Sequence, residues 1–259
     1  MTPRIPAVQS TVSRMLPIML PASGLVAAIS FSYATRHVEA VPLLPSDPII
    51  QSKFHKQFNT NNNPTVHDLF IRKVPVSDIN PSLLNRPGAL IERFSRGVWA
   101  SPAFTVHRAI LSARLTDDEH TPGQLWSRHE LLRSKYYTGT VITNEFIVLS
   151  KSKNSILIRG GDNVSKTKER PIDGLIELSV QLKPEENSVE FGFKLCFFRA
   201  DLKIDQPPWS PPMTWLHEQY ARALLESGVR HVLREDVDDG GRVEDAGAIV
   251  GKTPITPML

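Results

Sequence analysis

The residues of this sequence best suited to acid–base chemistry are histidines and a tyrosine set among apolar neighbours. His217 and Tyr220 stand three residues apart in MTWLHEQYARALLESGVRHVL, which puts them on one face of a helix. An imidazole titrates near neutral pH and a phenol both donates and accepts hydrogen bonds. If that helix face roofs a cavity, the two are candidate catalytic residues. Otherwise they are a packed histidine and a core tyrosine. His107, three residues after Phe104, is another polar group in an apolar stretch.

Better-defined chemistries are represented only by incomplete patterns. A zinc-protease helix needs a second histidine four residues after the first. Position 221 is Ala221, and the similar pair His129-Glu130 meets Arg133. The single cysteine, Cys196, leaves no second thiolate for a zinc site and no intrachain disulfide, which points to a reducing, intracellular setting. Cys196 lies in an apolar strand pattern and reads as a buried structural thiol. No Gly-x-Ser-x-Gly elbow and no phosphate-cradling glycine loop occurs, and Gly160-Gly161-Asp162 reads as a turn. Neither a metal nor a cofactor is expected.

The charge balance is nearly even, 30 basic against 27 acidic residues, for a net +3. That is too small to indicate nucleic-acid binding. The interval from Lys151 to Arg170 is locally basic, with Lys151, Lys153, Arg159, Lys166, Lys168 and Arg170 against Asp162 and Glu169. It reads as a solvated loop, with a phosphate or membrane contact as the sharper alternative. No aromatic side chains interleave with these charges, so no base-stacking platform is expected.

The elements that must position the histidines follow from periodicity. Val66 to Val76 reads as a strand that Pro75 ends. Ala89 to Ala100 carries Leu90, Ile91, Phe94, Val98 and Trp99 at helical spacing, and Ala103 to Leu115 continues as a second helix after Pro102. Thr140 to Leu149 and Ser155 to Arg159 read as strands. Leu175 to Leu182 and Val189 to Phe198 alternate apolar and polar residues, which makes them a hairpin with one buried and one wet face. Leu178 and Phe193 then belong inside, and Glu177 and Lys194 outside. Pro211 and Pro212 suit the first turn of a long helix whose stripe is Met213, Leu216, Tyr220, Ala223 and Leu224. Trp99, Trp209 and Trp215 read as core or connector anchors, with Trp99 also a candidate cavity wall. Arg159 pairs across strands with Glu177 or serves as a polar anchor in a cavity.

Residues 1–65 read as an N-terminal extension. Residues 15–35 carry no charge and are mostly apolar, but Pro17 and Pro21 interrupt them. The fourteen uninterrupted residues would span only about 21 Å as a helix. A signal peptide, an anchor, an organellar presequence and a docked helix all fit, so membrane contact through this segment is an open expectation. The stretch rich in proline and asparagine up to Thr65 reads as an arm. Residues 66–235 form the domain, and the composition of residues 236–259 is that of a flexible tail. The fold class is therefore α+β, a curved antiparallel sheet against a long C-terminal helix.

The order strand, two helices, four strands, long helix resembles the START-like helix-grip (SRPBCC) superfamily. Within it, ALIERFSRGVWASPAF, DGLIELSV, VEFGFKL and MTWLHEQYARALLESGVRHVL resemble a poorly characterised branch, over roughly Val66 to Leu233. The resemblance implies a sheet wrapped around the helix and an internal cavity for a hydrophobic small molecule, such as a lipid, sterol or polyketide. Trp99, Phe104, His107, Arg159, Phe191 and Phe193 are then candidate ligand contacts. It equally implies the alternative of a cofactor-independent cyclase, isomerase or hydrolase in secondary metabolism, with His217 and Tyr220 catalytic. A membrane-associated scaffold without a small-molecule site is a third reading. Fold alone does not decide among them.

Overall fold

The computed structural model describes residues 28–113, 123–165 and 170–234. The remainder of the apolar segment (residues 15–27), Lys166, Lys168 and the tail lie outside the described residues.

Seven strands build one antiparallel sheet in the order β1-β2-β7-β6-β5-β4-β3. They are β1 (Glu39–Val41), β2 (Val66–Pro75), β3 (Val141–Ile142), β4 (Phe146–Lys151), β5 (Ser155–Gly160), β6 (Asp173–Lys183) and β7 (Ser188–Phe198). From β3 to β7 the chain meanders, and β2 returns to pair with β7 from Val66↔Phe197 to Pro75↔Ser188. Two 11-residue strands, β6 and β7, pair over their full length and centre the sheet.

The helices are α1 (Pro48–Gln51), α2 (Lys53–Phe58), α3 (Pro81–Asn85), α4 (Ala89–Trp99), α5 (Pro102–Ser112), α6 (Arg128–Arg133) and α7 (Pro211–Val232), and residues 28–34 are also helical. The curved sheet grips α7, as the element order implied. Leu224, Leu225, Val229 and Val232 of α7 join Phe70, Phe191, Phe193 and Leu178 of the sheet in one core, which Ile91, Phe94 and Val98 of α4 complete. Helices α4 and α7 approach closely because both carry glycine at the crossing. A Cβ on Gly97 would stand 2.9 Å from the Gly228 Cα. A buried ion pair fixes α7 over β2: Arg72 Nη1 reaches Glu226 Oε2 at 2.5 Å.

The periodic elements fall where the sequence places them, and four expectations change. Residues 140–149 do not form one strand. Thr143, at φ +52°, breaks them into β3 and β4 and sets Glu145 on the intervening turn. The folded body begins well before Val66. Strand β1 extends the sheet, and Ile49 of α1 joins Leu43, Leu175, Cys196, Phe198 and Ala200 in a second core on the sheet's outer face. Asn63 ties this segment to the chain that leaves β7, with Nδ2 donating to the carbonyls of Arg199 and Leu202. The outer face is consequently not wet along its length. Leu178 and Phe193 are buried as expected, but Glu177 and Lys194 pair with each other at 3.5 Å under Asp47, which also receives Lys194 at 3.0 Å.

The basic interval likewise departs from a solvated loop in the part described. Lys151 Nζ pairs with Glu92 at 2.6 Å. Arg159 and Arg170 are buried beside Asp173. Among the described residues no helix is long and apolar enough to cross a membrane.

Candidate functional site

A cavity of about 500 Å³ lies between α5, α7 and one end of the inner sheet face. Its floor follows from two glycines paired on neighbouring strands, Gly160↔Gly174. Neither has a side chain, so flanking rings fold over them: Phe146 Cδ1 would be 2.6 Å from a Cβ on Gly160, and Phe197 Cδ1 2.4 Å from one on Gly174. The space above the rings stays open. Ile172, Ile176, Phe193 and Leu195 extend this floor. Trp99 closes one side, and Trp209 from the proline-rich connector closes another. Val106 and Ile110 of α5, with Met213 and Leu216 of α7, line the cavity and are also exposed. The opening to solvent therefore runs between these two helices.

Among the described residues, four polar side chains on two helices and one turn face this apolar space: His107, Tyr220, His217 and Glu145. Helix α5 is started by Ser101, whose Oγ accepts from the Phe104 N–H at 3.1 Å, with Pro102 in the first turn. That start sets His107 on the face toward α7. Tyr220 Oη and His107 Nδ1 are 3.0 Å apart. On the other side of the imidazole, Nε2 lies 3.4 Å from Glu145 Oε2. A carboxylate there favours the tautomer with its proton on Nε2, which leaves Nδ1 to accept from the Tyr220 hydroxyl. The Tyr220 oxygen then keeps its lone pairs for another partner. Burial, with the Glu145 carboxylate nearby adding to it, raises the Tyr220 pKa, so the phenol stays protonated.

His217 is held differently. Its ring packs on Trp209 at 4.5 Å and edge-on to Phe197 at 5.1 Å between centroids. Its Nδ1 is buried and has no hydrogen-bond partner among the described residues. Burial in this apolar setting lowers its pKa to about 4, with the nearby His107 adding to the shift. At neutral pH it is an uncharged imidazole with one donor and one acceptor nitrogen.

Of the sequence candidates, the structure brings Trp99, His107, Phe193, His217 and Tyr220 together around one cavity. Three it does not. Phe104 is fully buried beneath Trp99 and His107, with its ring centroid 4.9 Å from that of Trp99, and supports the wall without forming it. Phe191 packs on Phe94 at 5.2 Å under α4, further along β7. Arg159 points to the outer face, because its strand partner is Leu175 and not an inner-face residue. It grips Asp173 through Nε and Nη2 at 2.9 and 2.5 Å and stacks on Phe58, so neither the Glu177 pair nor a cavity anchor describes it. Sequence reasoning passed over Glu145, whose role depends on the turn at Thr143. It also missed the Gly160–Gly174 pair, although two glycines within β-branched strands are a signal of close approach.

Among the described residues no group of three or more histidine, cysteine, aspartate or glutamate side chains could hold a metal ion. No family model, curated protein or solved structure matches the chain.

Proposed function

We propose that this protein binds an apolar small molecule in the cavity between α5, α7 and the sheet. The observation that carries the reading is the cavity itself: about 500 Å³, walled by aliphatic and aromatic side chains, with a few polar groups converging at one place. Small-molecule sites have this composition and typically enclose about 300–1,000 Å³. The strand order, with β2 returning to β7 beside a meander, supports placing the chain with the START-like helix-grip proteins.

Catalysis without a cofactor is a second reading, and the contact series Tyr220–His107–Glu145 favours it, since a base oriented by a carboxylate can move a proton through a phenol. His217 fits it less well, because a pKa near 4 makes a weak base. The two readings part on turnover. In an enzyme using this site, His217→Ala or Tyr220→Phe would slow conversion of a copurified ligand by about 10²–10⁴-fold. In a carrier neither the wild type nor the variants would convert it.

The binding reading is tested with a neutral fluorescent probe, Nile red, and an obstructing variant. Ala103 lines the cavity from α5 and is partly exposed, so Ala103→Phe fills space with little effect on the packed core. The expected result is saturable binding that Ala103→Phe weakens by about tenfold or more, equivalent to about 1.4 kcal/mol. Binding unaffected by that substitution would place the probe elsewhere and overturn the reading.

A further inference from the structure

We infer that the ligand of this cavity is an uncharged molecule carrying a hydroxyl group, which docks between the side chains of His217 and Tyr220. The inference rests on the reading that the cavity binds an apolar molecule, and it names the chemistry at the polar end. Two half-buried residues on one face of α7 are left incomplete. His217 Nδ1 has no hydrogen-bond partner among the described residues. Tyr220 has one, His107, and with its proton directed there its oxygen offers only lone pairs. The two rings are neighbours, with centroids 6.4 Å apart. A buried polar atom without a partner is costly, so a ligand group that satisfies it is favoured over one that does not.

The group must serve both residues. A hydroxyl donates its one proton to the Tyr220 oxygen and accepts from His217 Nδ1, in the tautomer that carries the proton on that nitrogen. An ether or ketone has no proton for Tyr220. A carboxylate or phosphate is disfavoured for another reason: among the described residues no lysine or arginine lines the cavity, and the one formally charged wall residue is the Glu145 carboxylate. An anion would enter apolar surroundings beside a like charge. The hydroxyl-bearing end is therefore neutral, and fatty acids fit less well than the corresponding alcohols.

The test displaces Nile red from the full-length protein at about pH 8, where a free imidazole is neutral. Two probe series separate polar-group chemistry from molecular shape: 1-decanol, 1-methoxynonane and decanoate, then 2-naphthol, 2-methoxynaphthalene and 2-naphthoate. In at least one series the alcohol is expected to compete about tenfold better than both analogues. With each competition referred to the variant's own Nile red affinity, Tyr220→Phe should abolish the preference for alcohol over ether, whereas His217→Phe should weaken alcohol and ether alike and keep the preference. Alcohol and ether competing equally in the wild type, a carboxylate competing best, a preference that survives Tyr220→Phe, or alcohol and ether competing against His217→Phe as well as against wild type would each overturn the inference. So would Nile red binding that no member of either series displaces. A failure of the underlying reading looks different: Nile red then does not bind, or binds Ala103→Phe as well as wild type.

Discussion

The Tyr220 hydroxyl on α7 lies 3.0 Å from His107 Nδ1 on α5, across the opening of the cavity. This contact ties the two helices together where they otherwise part to admit solvent. Removing the imidazole by His107→Ala strands the Tyr220 hydroxyl in a largely buried position. That should cost about 1–3 kcal/mol of stability, read as a lowered urea midpoint with an unchanged slope. Tyr220→Phe in the same background should then cost little more, because the bond is already broken and the substitution removes only the stranded hydroxyl. Additive losses would mean that the contact contributes nothing as a pair.

His217 makes stability depend on pH. Its folded pKa, about 4, lies below the 6.5 of a free histidine, so the unfolded chain takes up the proton first. Above pH 6.5 neither state binds it and the group is silent. As pH falls from 6.5 toward 4 the unfolded state is favoured, and below 4 both states are protonated and the loss levels off. A difference of about 2.5 pKa units corresponds to roughly 3 kcal/mol. His55, also lowered by burial, acts with the same sign. The His217 part is therefore the difference between wild type and His217→Phe, measured across pH 7 to 4. A variant as acid-sensitive as wild type would show that His217 is already solvated in the folded chain.

Gly174 keeps the cavity open by giving the Phe197 ring a place to lie. Gly174→Ala puts a Cβ 2.4 Å from Phe197 Cδ1, and the ring must swing away from the sheet. The space available to it is the cavity, whose lining already includes Phe197 beside His217. Nile red binding should fall by about tenfold, with a stability loss within the about 1–3 kcal/mol typical of overpacking. Unchanged binding would show that the ring moves elsewhere and that the glycine pair does not shape the site.

How much of this was legible in the sequence depends on the range of the contacts. Strands β6 and β7 and helices α4, α5 and α7 follow from local periodicity, which is why His217 and Tyr220 could be placed on one helix face. His107 could be named, but not its partners, since Tyr220 and Glu145 meet it only through tertiary packing. Arg159 was misassigned for a comparable reason. Cross-strand reasoning offered Glu177, whereas the register puts Arg159 opposite Leu175 and its side chain finds Asp173 at the start of the same neighbouring strand. The outer-face core had a visible signal that the alternation rule overrode. Leu175, Cys196 and Phe198 are apolar at positions the hairpin pattern assigns to water, and apolar residues on both faces of a strand indicate cover on both sides.

That cover comes from the segment before Val66, and its removal has a specific chemical consequence. Ile49, Phe54 and Phe58 of α1 and α2 pack over Leu175, Cys196 and Phe198, and Asp47 neutralises Lys194 on the same face. Burial raises the Cys196 thiol pKa to about 12, so in the intact chain it should be inert to a thiol reagent at neutral pH. Deleting residues 1–64 uncovers this face and removes β1, leaving β2 as an unpaired edge. The truncated chain should lose its cooperative unfolding transition or associate through the exposed face, and Cys196 should react as fast as in denaturant. Point substitution gives a gentler version: Ile49→Ala, at a site 1% exposed, should cost about 2–5 kcal/mol and speed Cys196 labelling, while leaving Nile red binding on the opposite face of the sheet unchanged. A truncated chain that still unfolds cooperatively with a protected Cys196 would return the domain boundary to Val66. The N-terminal segment would then be an arm that rests on the sheet without stabilising it.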